Sequence, residues 1–221
     1  EDLPTPRMAT LRKINKINTN ELIDEAIVRQ ADGIIVHHGY FWKGDAAVIV
    51  GPLYRRMKKL IQSNMSLIAY HLPLDVHPEV GNNYCLGNLI GAQDVSVFPA
   101  GGVDGLGWQG KLKAPLSASQ LALSLERSLN RVPLCIEGSS NDIRRVAWCS
   151  GAAQDFITEA ALLGVDAFIT GEASERTTHL ARELGLHFFA AGHHATECYG
   201  VQAALTTVVV QPPCPPRVLA Q

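Results

Sequence analysis

"RVAWCSGAAQDFITEAALLGVDAFITGEASERTTHLARELGLHFFAA", running from Arg145 to Ala191, decides the fold. Three apolar runs, "RVAWCS", "VDAFIT" and "LHFFAA", are separated by two amphipathic ones, "QDFITEAALLG" and "SERTTHLARELG". The spacing predicts strand, helix, strand, helix, strand, with Gly164 and Gly185 placed as helix stops. Near-continuous apolar strands alternating with helices belong to largely parallel sheets covered by helices.

The same order extends upstream. "NTNELIDEAIV" sets Leu22, Ile23, Ala26 and Ile27 at helical spacing before the short run "GIIV". "GPLYRRMKKLIQSN" precedes "SLIAY", and "SASQLALSLERSLN" opens with a capping box from Ser117 to Gln120 before stacking Leu121, Leu125 and Leu129. A glycine-rich stretch from Pro99 to Ser119, "PAGGVDGLGWQGKLKAPLSAS", interrupts the alternation and suggests a junction near residue 100. The expected organisation is therefore two α/β domains with parallel or mixed sheets: residues 1–100, completed by 193–221, and residues 101–192. The proline-rich tail "QPPCPPRVLAQ" predicts irregular chain.

Composition narrows the functional classes. With 221 residues, 47% of them apolar, the chain can build a sizeable core. Nineteen basic and 21 acidic residues leave a net charge of -2, which gives no reason to expect nucleic acid or an anionic membrane as partner. No apolar stretch approaches the ~20 residues that span a bilayer, and "EDLPTPRMATLRK" lacks the apolar centre of a secretory signal, so the cytoplasm is the expected location. The five cysteines (Cys85, Cys135, Cys149, Cys198, Cys214) are odd in number and form no C-x-x-C pair, which predicts reduced thiols rather than a disulfide framework or thiolate zinc site.

In parallel α/β sheets, ligands gather beyond the carboxyl ends of the strands. Three apolar runs end in metal-ligating residue types: the first in His37 and His38, the second in His71 and Asp75, the third in His193, His194 and Glu197. Neighbouring residues on an extended strand point to opposite faces, so His37 and His38 can serve one site only where the chain leaves the strand, or where two metals lie side by side. His193 and Glu197 are four apart and share a face if a helix begins there. Glu172, Glu175 and His179 follow "DAFIT" and are candidates for proton transfer or for support of a ligand. Two other patterns carry less. "GLGWQGKL" spaces Gly105, Gly110 and Lys111 like a phosphate loop, but Leu112 replaces the hydroxyl and Pro115 opposes the required helix. Arg55, Arg56, Lys58 and Lys59 read as the solvated face of an amphipathic helix.

Four ordered motifs, "GIIVHHGYFWKGD", "AYHLPLDVHPEVGNN", "FITGEASE" and "AGHHATECYGV", resemble the NGG-interacting-factor-like family of dinuclear-metal proteins, the GTP cyclohydrolase 1 type 2 homologues, in their short bacterial branch. The likeness runs from about residue 20 to 204. It implies two α/β domains facing a cleft, two divalent metal ions (zinc, manganese, iron or nickel) between them, and a homohexameric ring. The implied metal ligands are His37, His38, Asp75, His193 and Glu197, one carboxylate bridging, with His71 nearby; Asp75, the only carboxylate in "HLPLD", is the expected bridge. His71 and Glu172 are the residues expected to act in catalysis. The resulting expectation is a metal-dependent hydrolase of a phosphate- or nucleotide-like small molecule. The alternative is a metal-delivery or regulatory ring without turnover. The two ends differ from the family pattern: "TPRMATLRKINKIN" is polar where a strand is expected, and after "YGVQAA" the expected helix continuation and closing strand give way to "LTTVVVQPPCPPRVLAQ".

Overall fold

Several helices begin on a side-chain cap or end on a residue that turns left-handed. In the computed structural model, which describes residues 8–9, 19–45, 47–139 and 141–210, helix α1 (Asn20–Val28) starts on Thr19, whose hydroxyl accepts from the Leu22 amide. Helix α5 (Ala118–Leu129) opens on the capping box between Ser117 and Gln120 and closes on a left-handed Asn130. Helix α4 (Asn82–Ile90) closes on a left-handed Gly91. The remaining helices are α2 (Gly51–Gln62), α3 (Leu72–Asp75), α6 (Ile157–Leu162), α7 (Glu175–Glu183) and α8 (His193–Val210). None among the described residues is long and apolar enough to cross a membrane.

The strands form two sheets. Strands β1 (Met8–Ala9), β2 (Gly33–Val36) and β3 (Ser66–Ala69) make a small parallel sheet in that order. The larger sheet holds β4 (Gln93–Ala100), β5 (Val103–Leu116), β6 (Leu134–Ile136), β7 (Ile143–Trp148), β8 (Ala167–Thr170) and β9 (His187–Ala190), ordered β4-β5-β7-β8-β9-β6. Its centre, β7-β8-β9, is parallel, while β4, β5 and β6 join antiparallel. The α/β class expected from Arg145 to Ala191 is therefore the one observed.

Two features depart from the sequence expectation. The glycine-rich stretch near residue 100 is the tip of a hairpin, so β4 lies in the larger sheet beside β5. The helix after "YGVQAA" continues to Val210. Before α1 the described residues hold the strand β1, while the rest of that segment and the tail from 211 to 221, with Cys214, lie outside the described residues.

Alternate residues of the central strands feed opposite faces of the larger sheet. Ala147, Phe168 and Phe188 pack with Ile157, Ala160 and Ala181 of α6 and α7. Trp148, Ile169 and Phe189 pack with Leu86, Leu121 and Leu125 of α4 and α5. The small sheet has its own core, built on Leu22, Ile23, Ile34 and Leu60.

Candidate metal centre

The carboxyl ends of five parallel strands converge. His37 and His38 follow β2, His71 caps α3 just after β3, Ser150 follows β7, Glu172 follows β8, and His193 opens α8 after β9. Three overlapping groups result, each with potential ligand atoms within 4.8 Å of one another: His37, His38 and His71; His38, His193 and Glu197; His37, Asp75 and Glu197. All six residues named for metal or beside it thus meet in one place, and Glu172 contacts that place through His193. His194 falls outside the three groups, and Glu175 and His179 line a separate surface depression with Arg176.

The floor of the site is buried and anionic. Asp75 and Glu197 are 4% and 5% exposed, a placement that costs too much unless each carboxylate is paired. Asp75 Oδ1 accepts from Asn82 Nδ2 at 2.9 Å and from the Ser150 hydroxyl at 3.2 Å. Glu197 Oε2 lies 2.9 Å from His38 Nε2, and Oε1 lies 3.1 Å from His193 Nε2. Burial opposes ionisation of Glu197, but the imidazoles of His193, His37 and His38 around it overcome that and hold the carboxyl well below its usual range.

His37 carries the decisive geometry. Its Nδ1 lies 2.8 Å from the Tyr70 carbonyl, so Nδ1 must bear the hydrogen. Its Nε2 is buried and has no hydrogen-bond partner among the described residues. That nitrogen faces Asp75 Oδ1 at 3.4 Å and Glu197 Oε1 at 3.7 Å, both too long for a good hydrogen bond. A lone pair aimed between two carboxylates is the donor set of a hard or borderline divalent cation, and the residues present fit one. As a proton site, burial lowers the affinity of His37, yet Asp75 and Glu197 outweigh it and raise the imidazole to about 9. His71 behaves oppositely: partial burial, then the charge of His37, lowers its affinity for a proton.

Backbone and polar side chains hold these groups in register. Glu172 Oε1 accepts from His193 Nδ1, which directs Nε2 toward Glu197. The buried Thr196 hydroxyl accepts from the Gly151 amide at 3.0 Å and ties the first turn of α8 to the loop after β7. Gly151 adopts φ +71°, and a Cβ there would lie 2.0 Å from Glu197 Oε1. Two asparagines escaped the sequence reading. Asn82 joins Asp75 to the Gly200 amide of α8, while Asn83 donates to the carbonyls of Asp75 and Leu106 and accepts from the Ser150 amide at 2.7 Å. Their only sequence signal was position, at the end of the motif "HLPLDVHPEVGNN".

The two patterns set aside from the sequence have plain structural roles. Lys111 lies within β5 and pairs with Asp94 at 2.9 Å. Lys59 pairs with Asp24 across α2 and α1 at 2.5 Å.

Comparison with known proteins gives concordant matches. The family model described as Duf34/NIF3 (NGG1p interacting factor 3) matches residues 18–211. A Salmonella typhimurium protein named "GTP cyclohydrolase 1 type 2 homolog" is 51% identical over 183 residues, 82% of this chain and 72% of that one. A Pseudomonas aeruginosa protein of the same name is 48% identical over 182 residues, 82% of this chain and 72% of that one. Among solved structures, one described as "protein ybgI, unknown function" superposes with a TM-score of 0.81 at 44% identity, covering 90% of this chain and 83% of its own. A Thermus thermophilus protein, TTHA1606, superposes with a TM-score of 0.79 at 29% identity, covering 98% of this chain and 88% of its own.

Proposed function

This chain belongs to the Duf34/NIF3 family, and on that premise we propose that it is a metal-dependent hydrolase holding two divalent ions and acting on a phosphate- or nucleotide-like small molecule. The observation that carries the reading is the unpartnered, buried Nε2 of His37 between two buried carboxylates. A lone aspartate or histidine pair would carry no such weight. Here His37, His38 and Glu197 each belong to two of the three donor groups, so Glu197, in place of the Asp75 expected from the sequence, is the carboxylate we take to serve two ions.

In this reading His37, Asp75 and Glu197 hold one ion and His38, His193 and Glu197 the other. A pair of such ions lowers the pKa of bound water and neutralises charge on the oxygens of a displaced group. The chain's own residues do the rest. Glu172 fixes the tautomer of His193. Asn82 and Ser150 fix the rotamer of Asp75. His71, half-buried and held neutral by its surroundings, is placed to take and return a proton at the mouth of the site. A hexameric ring and a cytoplasmic location accompany the proposal.

The test is anaerobic reconstitution with zinc, manganese, iron or nickel, elemental analysis, and hydrolysis assays on phosphoesters, nucleotides and cyclic amides. Two ions per chain and a turnover that Asp75→Asn abolishes are expected. At most one ion per chain, or retention of both by Asp75→Asn at unchanged affinity, overturns the dinuclear reading. Ions surrendered readily to a competing acceptor, with no turnover of any compound, would replace the hydrolase by a metal-delivery protein. Light scattering that finds only monomer at micromolar concentration removes the ring.

A further inference from the structure

Above the buried floor, the rim of the site is aromatic. The Trp42 indole lies 4.8 Å from the His71 ring and 5.5 Å from the His38 ring, centroid to centroid, and the two imidazoles are themselves 4.9 Å apart. Trp42 is nevertheless 43% exposed, and its neighbour Phe41 is 67% exposed. The chain's other two tryptophans behave differently: Trp148 is fully buried and Trp108 is 7% exposed. The turn that carries the indole is pinned by the Trp42 amide, which donates to Asp45 Oδ2 at 2.9 Å, and the indole itself rests on the His71 and His38 rings.

An indole that gives up nearly half of its burial while resting against two half-buried imidazoles of the candidate ligand set presents a flat π surface at the entrance. Such a surface selects planar rings, which stack on it whatever their hydrogen-bonding edges. We propose that Trp42 is a specificity-determining residue that stacks a planar heteroaromatic ring, a nucleobase or its equivalent, while the phosphate-bearing end of the same molecule is directed to the ions that His37, Asp75 and Glu197 would hold. This deepens the hydrolase reading above and rests on it for the position of the phosphate, but not for the stacking itself. The ordering of the site fits one molecule with two ends: charge-binding groups lie deep, and the aromatic wall lies at the solvent boundary.

The inference is tested by fluorescence and calorimetry on the metal-loaded full chain, with three probes: GMP, ribose 5-phosphate, which lacks the ring, and guanosine, which lacks the phosphate. With excitation selective for tryptophan, GMP and guanosine are expected to quench the emission that Trp42→Phe removes, and GMP to bind at least tenfold tighter than ribose 5-phosphate. Trp42→Leu should bring GMP down to the affinity of ribose 5-phosphate, whereas Trp42→Phe, which keeps a flat ring, should stay within about threefold of the parent. Metal content should be unchanged in both variants. Equal binding of GMP and ribose 5-phosphate, or unchanged GMP affinity in Trp42→Leu, overturns the proposal while leaving the metal reading intact. Guanosine quenching in a protein that takes up no metal supports the stacking and sinks the hydrolase reading instead.

Discussion

Strands β8 and β3 are both four residues long, both parallel to their neighbours, and both deliver site residues from their carboxyl ends, yet they live in different environments. Every residue of β8 is buried, while in β3 only Leu67 is even partly shielded. Among the described residues, the larger sheet rests on clusters of fifteen and fourteen buried residues, and the small sheet on eight. The candidate centre is therefore assembled from a rigid half, carrying Glu172, His193 and Glu197, and a thinly supported half, carrying His37, His38 and His71. Local stability follows buried apolar contact, so the second half is where opening motions should begin. A ligand that binds both halves would stabilise the weaker one by mass action.

The comparison can be broken first in the larger sheet. Phe188→Ala removes a fully buried ring that packs on Phe168 at 6.0 Å and should cost about 3–5 kcal/mol in urea unfolding. A loss under about 1 kcal/mol would mean that this sheet is not the rigid half. Next comes the joint between the halves. Asn83→Ala leaves the Ser150 amide and the carbonyls of Asp75 and Leu106 without a side-chain partner, which predicts a cost of about 2–4 kcal/mol. Weaker metal retention should accompany it, read by elemental analysis after dialysis. Asn83→Ala at full stability would show that the halves are held by something else.

A third effect is set by pH. In metal-stripped protein, burial opposes the charge on His37, but Asp75 and Glu197 prevail and raise it to about 9 from 6.5. A raised histidine contributes stability that is complete below pH 6.5 and is lost as pH climbs through 9. Unfolding free energy should therefore fall by about 1 kcal/mol between pH 7 and pH 8, and a metal-loaded sample, in which the proton has been displaced, should not share that slope. Glu197 works at the other end: its lowered affinity for a proton contributes stability that is lost as pH falls below the ordinary carboxylate range. A flat profile from pH 7 to 8 in the stripped protein would contradict the geometry given for His37. The smallest effect belongs to the small sheet. Ile68, 37% exposed on β3, should tolerate alanine at a cost of roughly 0.5–1 kcal/mol, and a loss comparable with Phe188→Ala would erase the contrast altogether.

The contrast also explains what the amino-acid sequence discloses. Strands β7, β8 and β9 each carry a buried apolar run, Val146–Trp148, Ala167–Ile169 and Phe188–Ala190, and the segment from Arg145 to Ala191 reads correctly without help. The β4–β5 hairpin is hidden for a different reason. Its glycines mimic loop chemistry, but a Cβ on Gly107 would lie 2.4 Å from the Phe98 ring, and one on Gly110 would lie 2.9 Å from the Gln93 carbonyl. Glycine there admits an aromatic ring and a neighbouring backbone, a requirement visible only after the strands are paired. The histidines and acids of the centre are legible because they follow apolar runs. Asn82 and Asn83 are not, since their partners lie as far away as Gly200 and Ser150 and no local pattern encodes such bonds.

Gly151 has a consequence for anyone comparing chains of this kind. A single methyl group at that position would occupy the space of a Glu197 oxygen and sit 3.2 Å from His193 Nε2, on a backbone that side chains already resist. A chain carrying alanine there would keep every ligand letter and still be unable to close the centre. Counting histidines and acids would score it as competent. One glycine between β7 and α6 is thus as telling a mark of the proposed centre as any single donor, and Gly151→Ala tests that centre without deleting a donor.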